Sequence, residues 1–211
     1  MLKAISYYGA LALESFFGLF GARLYEEPRY DVIGRVADRV EIRRYGPRVA
    51  AETQLAIADD AGNNEAFKLL FAYIAGANQA SASGDGKIAM TVPVEVRNNT
   101  LIAMTVPVQT AQHIGGTVMR FYLPAKYSRD RAPEPTDARV KIVAAPAETV
   151  AIVRFSGSGE YFTAHQNELL EMLRGSGWRP SGAPYTLYYD APFTLPFLRR
   201  NEAAVTVIEN L

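Results

Sequence analysis

Residues 188–202, Tyr-Tyr-Asp-Ala-Pro-Phe-Thr-Leu-Pro-Phe-Leu-Arg-Arg-Asn-Glu, are the densest stretch of unusual side chains in the sequence. Two prolines stiffen an apolar loop carrying Phe193, Leu195 and Phe197, and Arg199 and Arg200 at its base can clamp carboxylates. The same residues also suit a packed crossing loop in which Asn201 and Glu202 satisfy backbone groups where a strand begins. His165 stands three residues after Phe162 and four before Leu169, beside a helical apolar stripe. It reads either as an axial iron ligand or proton-transfer group, or as a hydrogen-bonded histidine at the core edge, which is the commoner case. His113, before Gly115-Gly116, reads as a solvated loop residue, and Met90, Met104 and Met119 as strand core rather than iron ligands.

Other signatures fail on spacing. Phe155-Ser156-Gly157-Ser158-Gly159 resembles a nucleophile elbow, but no serine has glycine at both −2 and +2. Gly84-Asp85-Gly86-Lys87 ends like a phosphate loop, yet Ile88 replaces Ser/Thr and the upstream glycine is missing. Carboxylates are scattered, with no pair marked out. The sequence has no cysteine, which excludes disulfides, thiolate nucleophiles, Cys-type zinc sites and Cys-held iron–sulfur clusters. Two histidines leave little for a multi-His metal centre, and 22 basic residues against 22 acidic ones leave no charge excess for nucleic acid. Nothing here supports an enzyme.

These side chains need a scaffold, and 211 residues with 49% hydrophobic and 21% charged content are ordinary globular composition. Arg39-Val40-Glu41-Ile42 and Arg139-Val140-Lys141-Ile142 lie 100 residues apart, each alternating as a half-buried strand does. Each precedes a proline turn and a second strand, 48–57 and 148–155. Helices are expected at about 61–77 and about 159–175. Phe67, Leu70, Phe71 and Ile74 form one face of the first, with Asp59, Asp60, Asn63 and Asn64 available as caps and Gly76 near its end. Phe162, Leu169, Leu170 and Leu173 stripe the second, with Gly175 and Gly177 after it. Further strands are expected at 87–94, 101–109, 117–123, 184–190 and 202–208. Residues 88–94 recur as 102–108, Ile-Ala-Met-Thr-Val-Pro-Val both times, and read as hairpin arms. Strand–strand–helix–strands, repeated once, predicts an internally duplicated α+β chain whose mainly antiparallel strands share one barrel-like sheet.

Residues 1–24 form a separate apolar segment. Lys3, Glu14 and Arg23 leave uncharged runs of ten and eight residues, and Glu14 argues against a spanning helix. An amphipathic helix that packs on the domain, a partner or a membrane surface fits better, and a cleaved signal remains an alternative. The compartment favoured is the cytoplasm, with membrane association or export left open.

Several stretches are similar to the SOUL family of haem-binding proteins: Tyr25-Glu26-Glu27-Pro28-Arg29-Tyr30, Glu41-Ile42-Arg43-Arg44-Tyr45, Tyr73-Ile74-Ala75-Gly76-Ala77-Asn78, Lys87 to Val94, Phe121-Tyr122-Leu123-Pro124, Arg154-Phe155-Ser156-Gly157, and Tyr189-Asp190-Ala191-Pro192 through Glu202. Coverage runs from about residue 25 to 208, so 25–211 is the expected domain. Departures are small: Val92 and Val106 stand where Ala is frequent, Phe193 for Trp, and Ala203 for Val. The resemblance implies a distorted antiparallel β-barrel with two long helices and pseudo-two-fold symmetry, as in effector-binding domains. It also implies non-covalent, non-catalytic binding of haem or another tetrapyrrole, as carrier or buffer. The implied groove lies between the first helix and the loop before the last strand. Phe67, Phe71 and Ile74 would line it with Phe193, Leu195 and Phe197, and Arg199 or Arg200 would pair with propionates. The resemblance carries no axial-ligand motif, so His165 is a candidate iron ligand from its place on the second helix alone. A module that docks on a protein or membrane through residues 1–24, with haem affinity incidental, is the alternative function.

Overall fold

Proline, glycine and two left-handed residues decide where the alternating segments of this chain reverse. The structure is a computed structural model, and it describes residues 25–56, 59–79, 86–98, 116–158, 161–190 and 194–210. In chain order the first half holds β1 (Tyr30–Val36), β2 (Val40–Tyr45), β3 (Arg48–Leu55), α1 (Asp60–Ile74), β4 (Asn78–Gln79), β5 (Val94–Asn98) and β6 (Thr117–Tyr122). The second holds β7 (Glu134–Pro135), β8 (Val140–Ala145), β9 (Glu148–Phe155), α2 (Phe162–Leu173), β10 (Trp178–Pro180), β11 (Tyr185–Tyr188), a 3-10 turn (Pro196–Leu198) and β12 (Asn201–Glu209). Ala37 and Asp38, both at positive φ (48° and 55°), make the tight β1–β2 turn, whose twist matches its strands. Gly46-Pro47 turns β2 into β3.

One ten-stranded antiparallel sheet results, in the order β1-β2-β9-β12-β11-β5-β6-β3-β8, with β10 alongside the far half of β12. Exchanging β2 with β8, β3 with β9, β5 with β11 and β6 with β12 reverses the order from β2 to β8 onto itself. The helices follow the same exchange at their main contacts: α1 packs on β6 and β3 and α2 on β12 and β9, while the third strand differs, β8 for α1 and β10 for α2. The expected barrel does not form. Among the described residues β1 pairs only with β2 and β8 only with β3, so the sheet is open at both ends. Closure would need ladder bonds between those ends. Instead β1 carries an irregularity between Val32 and Gly34, and Val32 is 46% exposed. A bulged, solvated edge resists further pairing.

The helices are shorter than their apolar periodicity suggests. Asp59 caps α1 by accepting from the Gly62 N–H at 2.9 Å, as its position predicts. Gly76, at φ 120°, ends α1, and Gly175, at φ 71°, follows α2. The strand expected over 87–94 is an extended lead-in held by Ile88 N–H to Ile74 O (2.8 Å) and Val92 N–H to Glu26 O (3.0 Å). Laddering starts only at Val94, because Pro93 has no N–H to give. The expected strand 101–109, and with it the second hairpin arm, lies outside the described residues.

Both helices cover the same face of the sheet. Leu70, Tyr73 and Ile74 of α1 sit over Ala51, Val94, Val96, Met119 and Phe121. Phe162, Leu169 and Leu173 of α2 sit over Val40, Ile42, Ala151, Val153, Ala203 and Val205. Fully buried alanines at 51, 66, 151 and 203 let helix and sheet approach closely. Burying a side chain such as Leu70 or Leu169 contributes about 1.5–3 kcal/mol. The opposite face carries Tyr45, Val150, Ile152, Tyr185, Leu187 and Tyr189, against which Tyr25 and Tyr30 pack.

Candidate functional site

Strand register builds an aromatic band beneath the helices. Ala51, Phe121, Val94, Tyr188, Asn201 and Phe155 stand side by side across β3, β6, β5, β11, β12 and β9. At one end Phe67 of α1 meets Phe121 edge-on (centroids 5.3 Å) and stacks on Phe71 at 5.9 Å. At the other, Phe162 of α2 makes T-shaped contacts with Tyr188 (4.7 Å) and Phe155 (5.1 Å), and Phe155 stacks on the His165 ring at 4.0 Å. Burial, with Asp60 nearby, pushes the Tyr188 hydroxyl up to about 12. Phe121 and Phe155 are four strand spacings apart, about 19 Å. The aromatic pair of α1 and the histidine of α2 therefore occupy opposite ends of the band.

The residues expected to line a groove divide accordingly. Phe67 is half-buried against the core, Phe71 is 43% exposed, and Ile74 is buried. Leu195, 39% exposed, precedes the 3-10 turn and Phe197, 70% exposed, lies within it. Gly157 N–H donates to Pro196 O at 3.0 Å and Asn201 Nδ2 to Gly157 O at 3.1 Å, so that turn leans on the segment leading into α2. Phe193 lies outside the described residues. Arg199 Nε donates to Thr194 O at 2.7 Å, which bends it around its own loop. Arg200 is committed on the far face, paired with Glu202 and Glu27 and stacked on Tyr189 at 3.7 Å. His165 Nδ1 lies 2.9 Å from Glu168 Oε2, and Arg39 pairs with the other oxygen of that carboxylate. The bond to the His165 ring, with Arg39 behind it, holds the Glu168 carboxyl below its usual range. Met119 is core and Met90 packs against the core, while His113 and Met104 lie outside the described residues.

The opposite face holds an arrangement that no motif announced. One residue along the same strands, Lys141, Glu52, Arg120, Glu95, Leu187, Glu202 and Arg154 form a second row. Glu95 and Glu202, 1% and 0% exposed, flank Leu187. Glu95 accepts from Tyr122 Oη–H (2.6 Å), Arg97 Nε (2.7 Å) and Arg120 Nη1 (3.0 Å). Glu202 accepts from Tyr189 Oη–H (2.8 Å), from Arg43 through two bonds (2.9 and 3.1 Å), and from Arg200. Burial alone would push Glu95 up, but Arg97, the Tyr122 hydroxyl and Arg120 outweigh it and hold the carboxyl below its ordinary value. Burial, with the neighbouring carboxylates, drives the Tyr122 and Tyr189 hydroxyls well above theirs. A cavity of about 10 Å³, room for about one water, lies between these groups under Glu27 and Pro28. Arg48, between the Tyr45 and Tyr122 rings at 4.4 Å from each, lines it. The signal that marks these clusters is alternation: Glu95/Arg97 and Tyr185/Leu187/Tyr189 share a face at period two. Their charges are paired within the protein, so the set holds strands together and offers no group poised to react.

Among the described residues no cluster of three or more His, Asp and Glu can hold a metal, and no helix is long and apolar enough to cross a membrane. Residues 1–24, the proposed docking segment, lie outside the described residues. The chemistry left on the helix-bearing face is exposed apolar surface beside one imidazole, an arrangement suited to binding.

Comparison with known proteins agrees with that reading. No curated protein matches the chain. Among solved structures, the EcmrR C-terminal domain superposes with a TM-score of 0.59 at 9% identity, over 86% of this chain and 99% of that one. An uncharacterized conserved protein from Listeria innocua gives 0.59 at 12%, over 81% and 92% of the two chains. A hydrolase from Listeria innocua gives 0.56 at 12%, over 81% and 92%. Likeness at such identities shows the fold alone, an α+β domain with one large antiparallel sheet and two helices. Residues 25–206 match the family model described as SOUL heme-binding protein, and this chain belongs to that family.

Proposed function

We propose that this protein binds haem, or a related tetrapyrrole, non-covalently on the helix-bearing face and serves as a carrier or buffer without catalysis. Family membership supports the ligand. The observation that carries the site is the exposure of Leu195 and Phe197, at 39% and 70%, on the turn that leans on the lead-in to α2, with Phe71, 43% exposed, at the α1 end of the same aromatic band. Haem fits this chemistry: a flat macrocycle covering such side chains gains about 25 cal/mol per Å² of apolar surface. Arg199, at the base of the same turn, is the cation placed to meet a propionate. Haem bound here supplies an iron centre, while the protein supplies apolar cover and orientation. The two-fold exchange in strand order further supports reading 25–211 as two copies of one strand–strand–helix–strands unit.

A haemin titration of the full-length protein, followed through the Soret band, tests the proposal. Saturation at one equivalent is expected. Phe197→Ser should weaken binding about tenfold, equivalent to 1.4 kcal/mol. Absorbance that grows without saturating would overturn it.

A further inference from the structure

We infer that His165 ligates the haem iron through Nε2 at the α2 end of the aromatic band, and that Glu168, braced by Arg39, is the positioning residue that aims it. This rests on the proposed haem binding and adds to it a ligand and a place.

The turn that carries Leu195 and Phe197 is bonded to Gly157 through Pro196 O. A Cβ at Gly157 would lie 3.7 Å from Tyr161 Cδ2, so this glycine also backs onto Tyr161, which is 54% exposed. Tyr161 and His165, four residues apart at the start of α2, face the same way. The exposed apolar turn thus meets, at one glycine, the start of the helix that carries the imidazole.

The ring itself is held on two sides. Phe155 covers one face, and Glu168 takes Nδ1. Among the described residues no other polar contact reaches the ring, and its side chain keeps 23% of its surface exposed. Nδ1–H donation to a carboxylate fixes the tautomer that leaves the lone pair on Nε2 and makes that nitrogen a stronger donor. Arg39, at the end of the β1–β2 turn, locks the carboxylate from outside the helix. A surface His–Glu pair one turn apart needs neither the stacking ring nor the distant arginine. A ligand whose ring plane must not swing does.

The test uses full-length protein loaded with haemin, with binding, spectrum and midpoint potential as readouts. His165→Ala should shift the ferric spectrum away from the imidazole-ligated form. Glu168→Gln keeps an acceptor but removes the charge, so it should raise the midpoint potential and weaken haem about 10-fold or more. Glu168→Asp should restore part of the potential, which a purely structural role would not move. Nitrogen NMR of the haem-free protein should show the His165 proton on Nδ1. If wild type saturates with haemin while the His165→Ala spectrum and the Glu168→Gln potential are unchanged, this inference fails and haem binding stands. If Nε2 carries the proton, it fails likewise. If wild type shows no saturable uptake, both fall.

Discussion

Ala51, Phe121, Val94, Tyr188, Asn201 and Phe155 carry no formal charge and lie under the helices, whereas the next residues along the same strands include Glu52, Arg120, Glu95, Glu202 and Arg154 on the other face. One face is closed by packing and leaves aromatic surface at its rim. The other is closed by ion pairs and tyrosine hydroxyls, with a cavity of only about 10 Å³. The difference teaches how register is fixed. A one-residue slip of β5 or β12 would put Glu95 or Glu202 under a helix and leave its arginines without their anion, both heavily penalised. The charged face favours one alignment, and the uncharged face is the one on which haem binding is proposed.

The largest effect should come from breaking the charged face. Glu202→Ala leaves Arg43 and Arg200 without their central anion, and removing one partner of a buried pair costs about 4 kcal/mol. Arg43 is 3% exposed and cannot recover that loss in water. Urea melts of the variant would measure it; a loss under about 1 kcal/mol would show that the cluster is solvated and not a register device. Leu169→Ala, the matched break on the helix face, should cost about 3 kcal/mol through lost burial and the cavity left behind. Leu169 is 0% exposed. Equal or greater loss there than at Glu202 would reverse the ranking of the two faces.

Titration probes the charged face from both sides of neutrality. Glu95 is depressed in the folded state, so its contribution is present above the ordinary carboxylate range and is lost as pH falls through its lowered value. Tyr122, Tyr185 and Tyr189 are raised, so theirs is present below about pH 10 and lost as pH rises through the higher folded values. Stability should therefore hold through neutrality and fall at both extremes, and Glu95→Gln should flatten the acid limb and, because the Glu95 charge also helps raise Tyr122 and Tyr185, lessen the alkaline one. An acid limb unchanged in Glu95→Gln would mean that other carboxylates set it.

Much of this was legible in the sequence because it is local. Alternation located β2, β3, β8, β9 and β12, a capping aspartate and a following glycine bounded α1, and quoted motifs carried the family. What stayed hidden is long-range. Glu95 and Glu202 lie far apart in the chain, and only the register through Leu187 brings them together. Periodicity placed Phe67, Leu70, Phe71 and Ile74 on one face, yet a helix on a flat sheet buries only its central line. Leu70 and Ile74 go under while Phe71 stays out. Arg199 and Arg200 looked equivalent as neighbours, but strand alternation turns Arg200 to the charged face. The barrel was inferred from the duplication and the family resemblance, and a repeated unit sets neighbours but not whether the two edges meet.

The smallest effect on stability should come from the residue most exposed on the ligand-facing side. Phe197 is 70% exposed, and a surface substitution of this kind changes stability by no more than about 0.5 kcal/mol. Phe197→Ser should therefore melt with wild type while binding haemin more weakly. A melting loss above about 1 kcal/mol would assign Phe197 to holding the 3-10 turn against Gly157 and remove it from the ligand surface. An unchanged melt with unchanged haemin affinity would shift the contact toward Phe71, at the α1 end of the band. Stability and affinity measured on one variant thus tell which end of the aromatic row the macrocycle covers, because Phe71 and Phe197 are held by different elements and respond independently.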